Sequence, residues 1–198
     1  MNKTYGAILI IVFIFIVFAI GYGYVDSKYY APYKINNNIE DIQNSLEVWL
    51  NRGEEDSIIP DIIKVSKIDG TTSLIVSYSF TQANESFFGF GHLEKGRNDK
   101  LKFNVTTNGN KNSTYSYVET NKGWYIVTAG YNPDIHIDTI EVNYENGNET
   151  LVIDIPSTET YIAYHELKEG MHEVYPPRFT YYDEDRQNIN DMLTRHWK

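Results

Sequence analysis

Hydrophobic positions along the chain follow three regimes in succession: an unbroken run, a helical stripe, and a long series of alternations. The run comes first. From Ala7 to Ile20 no side chain is polar, and the flanks Tyr5-Gly6 and Gly21 to Val25 carry no charge. Tyr5 to Val25 as a helix would span about 31 Å at roughly 1.5 Å per residue, matching a hydrocarbon core of about 30 Å. Tyr5, Tyr22 and Tyr24 fall at its two ends, where amphipathic rings favour the bilayer interface. Residues 1–25 are therefore expected to form a transmembrane anchor, with the lipid bilayer as the partner of residues 5–25. The alternative is a cleaved secretory signal, since Val17-Phe18-Ala19 offers a small-residue pattern with cleavage after Ala19 or Gly23. Lys3 lies on one side of the run and Asp26, Lys28 and Lys34 on the other. The expected orientation puts the N-terminus in the cytoplasm and the rest of the chain outside it.

The second regime has a period of 3.6. Ile39, Ile42, Leu46, Trp49 and Leu50 make one apolar stripe. Asn38 is placed to cap the helix, with Asp41 at its third position near the positive end of the dipole. Arg52 sits in the last turn and Gly53 follows as a terminator. A connector over residues 26–57, carrying a helix over 38–52, is the expectation.

After Glu54-Glu55-Asp56 the period falls to 2. Strands are expected at Ile62–Ile68, Leu74–Thr81, Ser86–Glu94, Leu101–Thr107, Thr114–Glu119, Trp124–Ala129, Ile135–Tyr144, Thr150–Ile155 and Thr160–Leu167. Asp69-Gly70, Lys95 to Asn98, Asn108-Gly109-Asn110, Lys122-Gly123 and Asn146-Gly147 mark the turns between them. Gly89 and Gly91 inside the aromatic strand point to a bulge or a close backbone crossing. No helical crossover separates these segments, which disfavours a parallel sheet. The fold expected is mainly β, an antiparallel β-sandwich or open barrel over residues 58–170. Residues 171–198 read as a tail, because Pro176-Pro177 blocks both helix and interior strand. Asp183 or Asp185 could cap a short helix there, with Ile189, Met192 and Leu193 on one face; docking and fraying both stay open.

Composition then narrows the setting. Formal charge is −10 and Lys3 is the sole charge in the first 23 residues, so the remainder carries −11. No Lys/Arg cluster is expected to reverse that sign locally, and nucleic acid is not an expected partner. There is no cysteine, so no disulfide supports the domain and no thiol nucleophile exists. Asn, Ile, Lys and Tyr are abundant, a bias that a low-G+C genome would produce.

Candidate chemistry is sparse. Asp134-Ile135-His136-Ile137-Asp138, read as a strand, would put two carboxylates and an imidazole on one face, a start for a divalent metal site at Asp134, His136 and Asp138. Such a strand lacks the closure of a structural site. The five histidines show no paired spacing, and no Gly-x-Ser-x-Gly or dinucleotide motif occurs. The reading is non-enzymatic and calls for no cofactor. Seventeen Tyr, nine Phe and three Trp are the remaining signal. Tyr115 and Tyr117, two apart, show two rings on one sheet face and are the candidate ligand-binding pair; packing in a sandwich core is the competing role.

Three stretches, Phe88 to Phe103, Trp124 to Pro133 and Val152-Ile-Asp-Ile-Pro156, resemble small single-pass surface proteins of Bacillus-type Gram-positive bacteria with an uncharacterised extracytoplasmic β domain. The resemblance covers Ile58 to Leu167 and rests on strand and turn patterning. It implies a compartment and a fold, and no activity. The functional expectation is a membrane-anchored binding or structural module of the cell envelope, with an envelope protein or a glycan as partner. The alternatives are a carbohydrate or cell-wall binding module using exposed aromatics and, less favoured, a metal-dependent enzyme.

Overall fold

The computed structural model describes residues 3–53, 57–83, 85–107, 113–132, 136–144, 149–174 and 176–196, with side chains from Ile11 to Leu193. The expected turns at Asn108-Gly109-Asn110 and Asn146-Gly147 and the acidic segment Glu54 to Asp56 lie outside the described residues.

The apolar run forms one helix, α1 (Lys3–Tyr29). From Ile11 to Tyr29 none of it is buried against the rest of the chain, and Phe13, Phe15 and Phe18 are 67%, 71% and 74% exposed. Apolar on all sides and in contact with the domain only near Tyr29, the helix is long and apolar enough to cross a membrane. The short helix α2 (Ile39–Leu50) begins where the sequence places it: the Asn38 side chain accepts the Asp41 N–H at 2.9 Å. Ile42, Leu46 and Leu50 are its buried stripe, while Ile39 at the first position faces out. Gly53 beyond its end takes φ +80°.

Ten strands follow. β1 (Asp61–Lys67), β2 (Ser73–Gln82), β3 (Glu85–Lys95) and β4 (Leu101–Thr107) form an antiparallel meander in that order. β5 (Ser113–Thr120), β6 (Gly123–Tyr131) and β9 (Thr160–Glu166) form a second sheet, with β6 central. β7 (Thr139–Asn143) and β8 (Thr150–Asp154) are joined by β10 (Arg178–Tyr182), with β7 central. The expected antiparallel sandwich is thus present, extended to three sheets; no sheet closes into a barrel among the described residues.

Side-chain alternation explains the stacking. In β6, Tyr125, Val127 and Ala129 point to one side and meet Ile75, Phe88 and Phe90 of the first sheet. Ile126, on the opposite side, joins Tyr161 and Ala163 of β9 in meeting Ile140, Val142 and Ile153 of the third sheet. The outer face of the first sheet, through Val76, Tyr78, Leu93 and Phe103, receives the α2 stripe. The order of layers is α2, first sheet, second sheet, third sheet, so the two inner sheets are covered on both faces.

Gly89 supplies the close crossing expected in β3. A Cβ there would stand 2.5 Å from the Thr107 carbonyl oxygen and 2.7 Å from the Tyr78 ring. The bulge lies on the partner strand instead: consecutive His92 and Leu93 face Val105 and Phe103, leaving Asn104 of β4 as the extra residue.

The C-terminal region departs from expectation. Residues after 170 are not a separate tail: β10 pairs with β7 along its whole length, and Ile189 and Leu193 are buried in the core between the second and third sheets. Pro176-Pro177 precedes an edge strand, where proline is tolerated. The terminal helix α3 (Asn190–His196) starts later than an Asp183 or Asp185 cap would place it. Asp183 instead closes a turn, its carboxylate accepting the Gln187 N–H at 2.8 Å.

Candidate functional site

The expected metal strand is not a strand where the ligands were sought. β7 starts only at Thr139, and His136 adopts φ +53°. A left-handed residue breaks the alternation that would hold position 136 on a common face with position 138. His136 and Asp138 are exposed, and Asp134 lies outside the described residues. No group of three His, Asp or Glu side chains that could hold a metal occurs among the described residues. What organises this loop is Asn132. Its buried side-chain amide accepts the Ile137 N–H at 2.7 Å and donates to the Ile137 carbonyl at 3.1 Å, as a paired strand would.

Tyr115 and Tyr117 do lie on one face of β5, but that face is turned inward. The Tyr115 ring is 4.6 Å from that of Phe179 on β10. The Tyr117 hydroxyl donates to the Val174 carbonyl at 2.9 Å. Both rings pack against the core between the second and third sheets. They are packing residues rather than an exposed pair.

The structure brings together a different set. Beside the β4 bulge at Asn104, His92 and Glu94 face the β5–β6 hairpin across a polar cleft of about 420 Å³, lined also by Lys102, Asn104, Tyr117, Glu119 and Trp124. Lys102 lies opposite Glu94 in the β3–β4 register, and its Nζ is 3.0 Å from the Glu94 carboxylate. Asn104 donates to the same carboxylate at 3.3 Å. Burial works to raise Glu94, but the hydrogen bonds from Lys102, Asn104 and Tyr33 outweigh it and hold its carboxyl below the ordinary range. For Lys102 burial works downward and is overcome by the bond to Glu94, so the ammonium is raised.

His92 is 2% exposed and shares a 2.9 Å hydrogen bond between its Nε2 and the Ser73 Oγ. Burial pushes the imidazole down to about 4, so it is neutral at pH 7. Ser73 has no exposed surface at all. The pair joins β2 to β3 beneath the cleft and presents no hydroxyl to it. At the far wall Trp124 is held flat against His172, centroids 4.1 Å apart and planes 3° from parallel. One end is closed where the Asn121 side chain accepts from the Thr72 N–H at 2.9 Å.

A neutral imidazole, a fixed carboxylate–ammonium pair, amides and an indole can hold a small polar molecule by hydrogen bonds and stacking. Sequence reading missed this set because its members come from β3, β4 and the β5–β6 hairpin. No local pattern marks it, since the bulge beside it falls at Asn104 of β4 and not at the glycines of β3.

Lys102 also borders a second, more apolar groove of about 430 Å³ between α2 and β4, lined by Ile35, Val48, Trp49 and Phe103. Arg52 lies over the Trp49 ring at 3.5 Å and covers part of that groove.

Comparison with protein-family models, with curated proteins and with solved structures returns no match to this chain.

Proposed function

We propose that the chain is a single-pass membrane protein whose β domain lies outside the cytoplasm and serves as a non-enzymatic binding or structural module of the cell envelope. One observation carries the reading: α1 is apolar on every side and wholly uncovered, yet its C-terminal end is fastened to the folded domain. Such a surface in water would be a liability; in lipid it is the ordinary state of a spanning helix. A domain mounted on a spanning helix has its working surface set by its distance from the bilayer.

The binding role attaches to the polar cleft of His92, Glu94, Lys102 and Trp124, which Tyr117 also lines, whereas Tyr115 is committed to the core. The ligand class is a small polar molecule or the polar end of a larger envelope component. Carbohydrate recognition through Tyr115 and Tyr117 loses its exposed platform, and metal chemistry at His136 loses its common face.

Cell fractionation with an alkaline wash tests the anchor, and protease added to intact cells tests the side. Retention in the washed membrane with external cleavage of the β domain is expected. Release into the soluble fraction, or a β domain untouched by external protease, would overturn it. N-terminal sequencing of the mature chain separates a retained anchor from a removed signal, and crosslinking in intact cells captures the partner.

A further inference from the structure

The end of α1 does not hang free of the domain. Arg97, at the tip of the β3–β4 hairpin, lies over the Tyr29 ring with 4.5 Å to its centroid. Asn98 donates to the Tyr33 carbonyl at 3.1 Å, and Lys34 and Ile35 both donate to the Leu101 carbonyl. The hairpin and the connector therefore form one surface at the foot of the helix.

Its height above the bilayer follows from helix geometry. Tyr29 lies four residues beyond Val25, the last residue of the uncharged stretch. That is about 6 Å of rise at roughly 1.5 Å per residue. The headgroup layer occupies about 5–7 Å on each side of the hydrocarbon core. Arg97 is thus held at the depth of the lipid phosphates.

The charge at this level opposes that of the rest of the molecule. Residues 26–34 and 95–100 carry Lys28, Lys34, Lys95, Arg97 and Lys100 against Asp26 and Asp99, a net +3 in a chain of −10. Asp99 is taken up by Lys95 at 2.8 Å, while Lys34, Arg97 and Lys100 are exposed. Linear order shows only the part from Lys95 to Lys102, because Lys28 and Lys34 lie more than sixty residues earlier.

We infer that the β3–β4 hairpin and the connector form a docking surface for anionic phospholipid headgroups of the bilayer that holds α1, with Arg97 and Lys100 as the principal phosphate contacts. The inference rests on the membrane reading above. Arginine at the phosphate layer donates to phosphate oxygens in a fork, and neighbouring lysines add attraction to an anionic surface. Docking would hold the domain upright and keep the polar cleft, which begins beside the hairpin at Glu94 and Lys102, at a constant height.

The test uses the full chain in nanodiscs of phosphatidylcholine alone or mixed with phosphatidylglycerol, with amide hydrogen exchange read at Gly96 and Leu101. Both amides are hydrogen-bonded within this surface, to the Lys100 and Ile35 carbonyls. Exchange roughly thirtyfold slower in the anionic bilayer is expected, the scale set by two basic residues at such a surface. The combined Arg97→Gln and Lys100→Gln variant should lose that difference, and Lys122→Gln, on the exposed β5–β6 turn, should keep it. Equal exchange in the two bilayers, or a difference that survives the double variant, would overturn the docking surface while leaving the anchor intact. Equal slowing by inorganic phosphate in detergent would reassign it to soluble anions and overturn it too. A chain that does not enter nanodiscs would remove the membrane reading and this inference with it.

Discussion

The ring of Tyr33 occupies the space above Gly96 that a side chain there would fill: a Cβ on Gly96 would lie 2.5 Å from the Tyr33 Cγ. This contact seats the connector on the β3–β4 hairpin. Because the clash is with the base of the ring and not its tip, Tyr33 can escape only by leaving its site. Gly96→Ala should cost about 1–3 kcal/mol, the range for overpacking. The cost should fall on the connector, so trypsin cleaves the full-length protein after Lys34 faster while the sheet stays intact. Unchanged cleavage would mean the connector is held by other contacts.

The buried imidazole of His92 makes stability depend on pH with a definite sign. Its folded pKa of about 4 lies below the ordinary 6.5, so between those values the unfolded chain takes up a proton that the folded chain refuses. Stability is full above pH 6.5 and falls as pH drops through the window, by about 1.4 kcal/mol per pH unit. The total by pH 4 is about 3 kcal/mol. Glu94, held below its ordinary range, adds a loss in the same direction at the acid end. Denaturant midpoints of the full-length protein in detergent from pH 7 to pH 4.5 should decline, and His92→Gln should flatten that decline. An equal slope in the variant would exonerate the ring.

The strands that sequence made legible are those whose alternation faces a wet side or ends in a glycine turn, such as β1 and β2 around Gly70. The misreadings have specific causes. Asp134 to Asp138 alternates like a strand, but the backbone turns at His136, and Asn132 rather than a neighbouring strand satisfies Ile137. Asparagine abundance reads as genome bias, yet three asparagines act as backbone clamps. Asn51 bonds both N–H and C=O of Ile58, Asn132 those of Ile137, and Asn190 the Tyr181 N–H and the Phe179 carbonyl. The cleft and the basic surface each combine segments distant in sequence, so no local pattern marks the whole of either.

Asn132 offers a direct measure of such a clamp. Truncation would leave the buried Ile137 N–H and carbonyl without their partner, at about 1–3 kcal/mol for each group. Asn132→Ala should lower the denaturant midpoint by an amount equivalent to about 2–6 kcal/mol in total. Asn132→Asp should do no better at neutral pH, since a carboxylate can accept the Ile137 N–H but cannot donate to the carbonyl. A mild effect of both would show that residues 136–138 are held from the β10 side, where Asp138 donates to the Tyr182 carbonyl at 2.8 Å.

Tyr115 separates packing from ligand recognition. Its ring stands against Phe179 and the core of the third sheet, so Tyr115→Ala should cost about 3–5 kcal/mol, as for other large aromatic truncations. Tyr115→Phe keeps the ring and should cost much less. Isolated wall polysaccharide should bind wild-type and Tyr115→Phe protein equally, to whatever extent it binds at all. A phenylalanine variant of native stability that lost polysaccharide binding would return this position to a recognition role.

The end of the chain provides the sharpest contrast between neighbours. Leu193 is 1% exposed in the core between the second and third sheets, whereas Met192 beside it is 48% exposed. Both belong to the apolar face that sequence assigns to a terminal helix, but the helix begins at Asn190, whose side chain accepts the Tyr181 N–H at 2.7 Å and fixes its rotation relative to β10. That rotation turns Leu193 inward with Ile189 and leaves Met192 at the rim. Leu193→Ala should therefore cost about 2–5 kcal/mol and Met192→Ala under about 1 kcal/mol. Because β10 is an edge strand anchored partly through Asn190, the leucine variant should also speed hydrogen exchange along β10 before the first sheet is affected. Equal effects at the two positions would mean that α3 only lies on the surface, and the third sheet would then owe its cohesion to Ile140, Val142 and Ile153 alone.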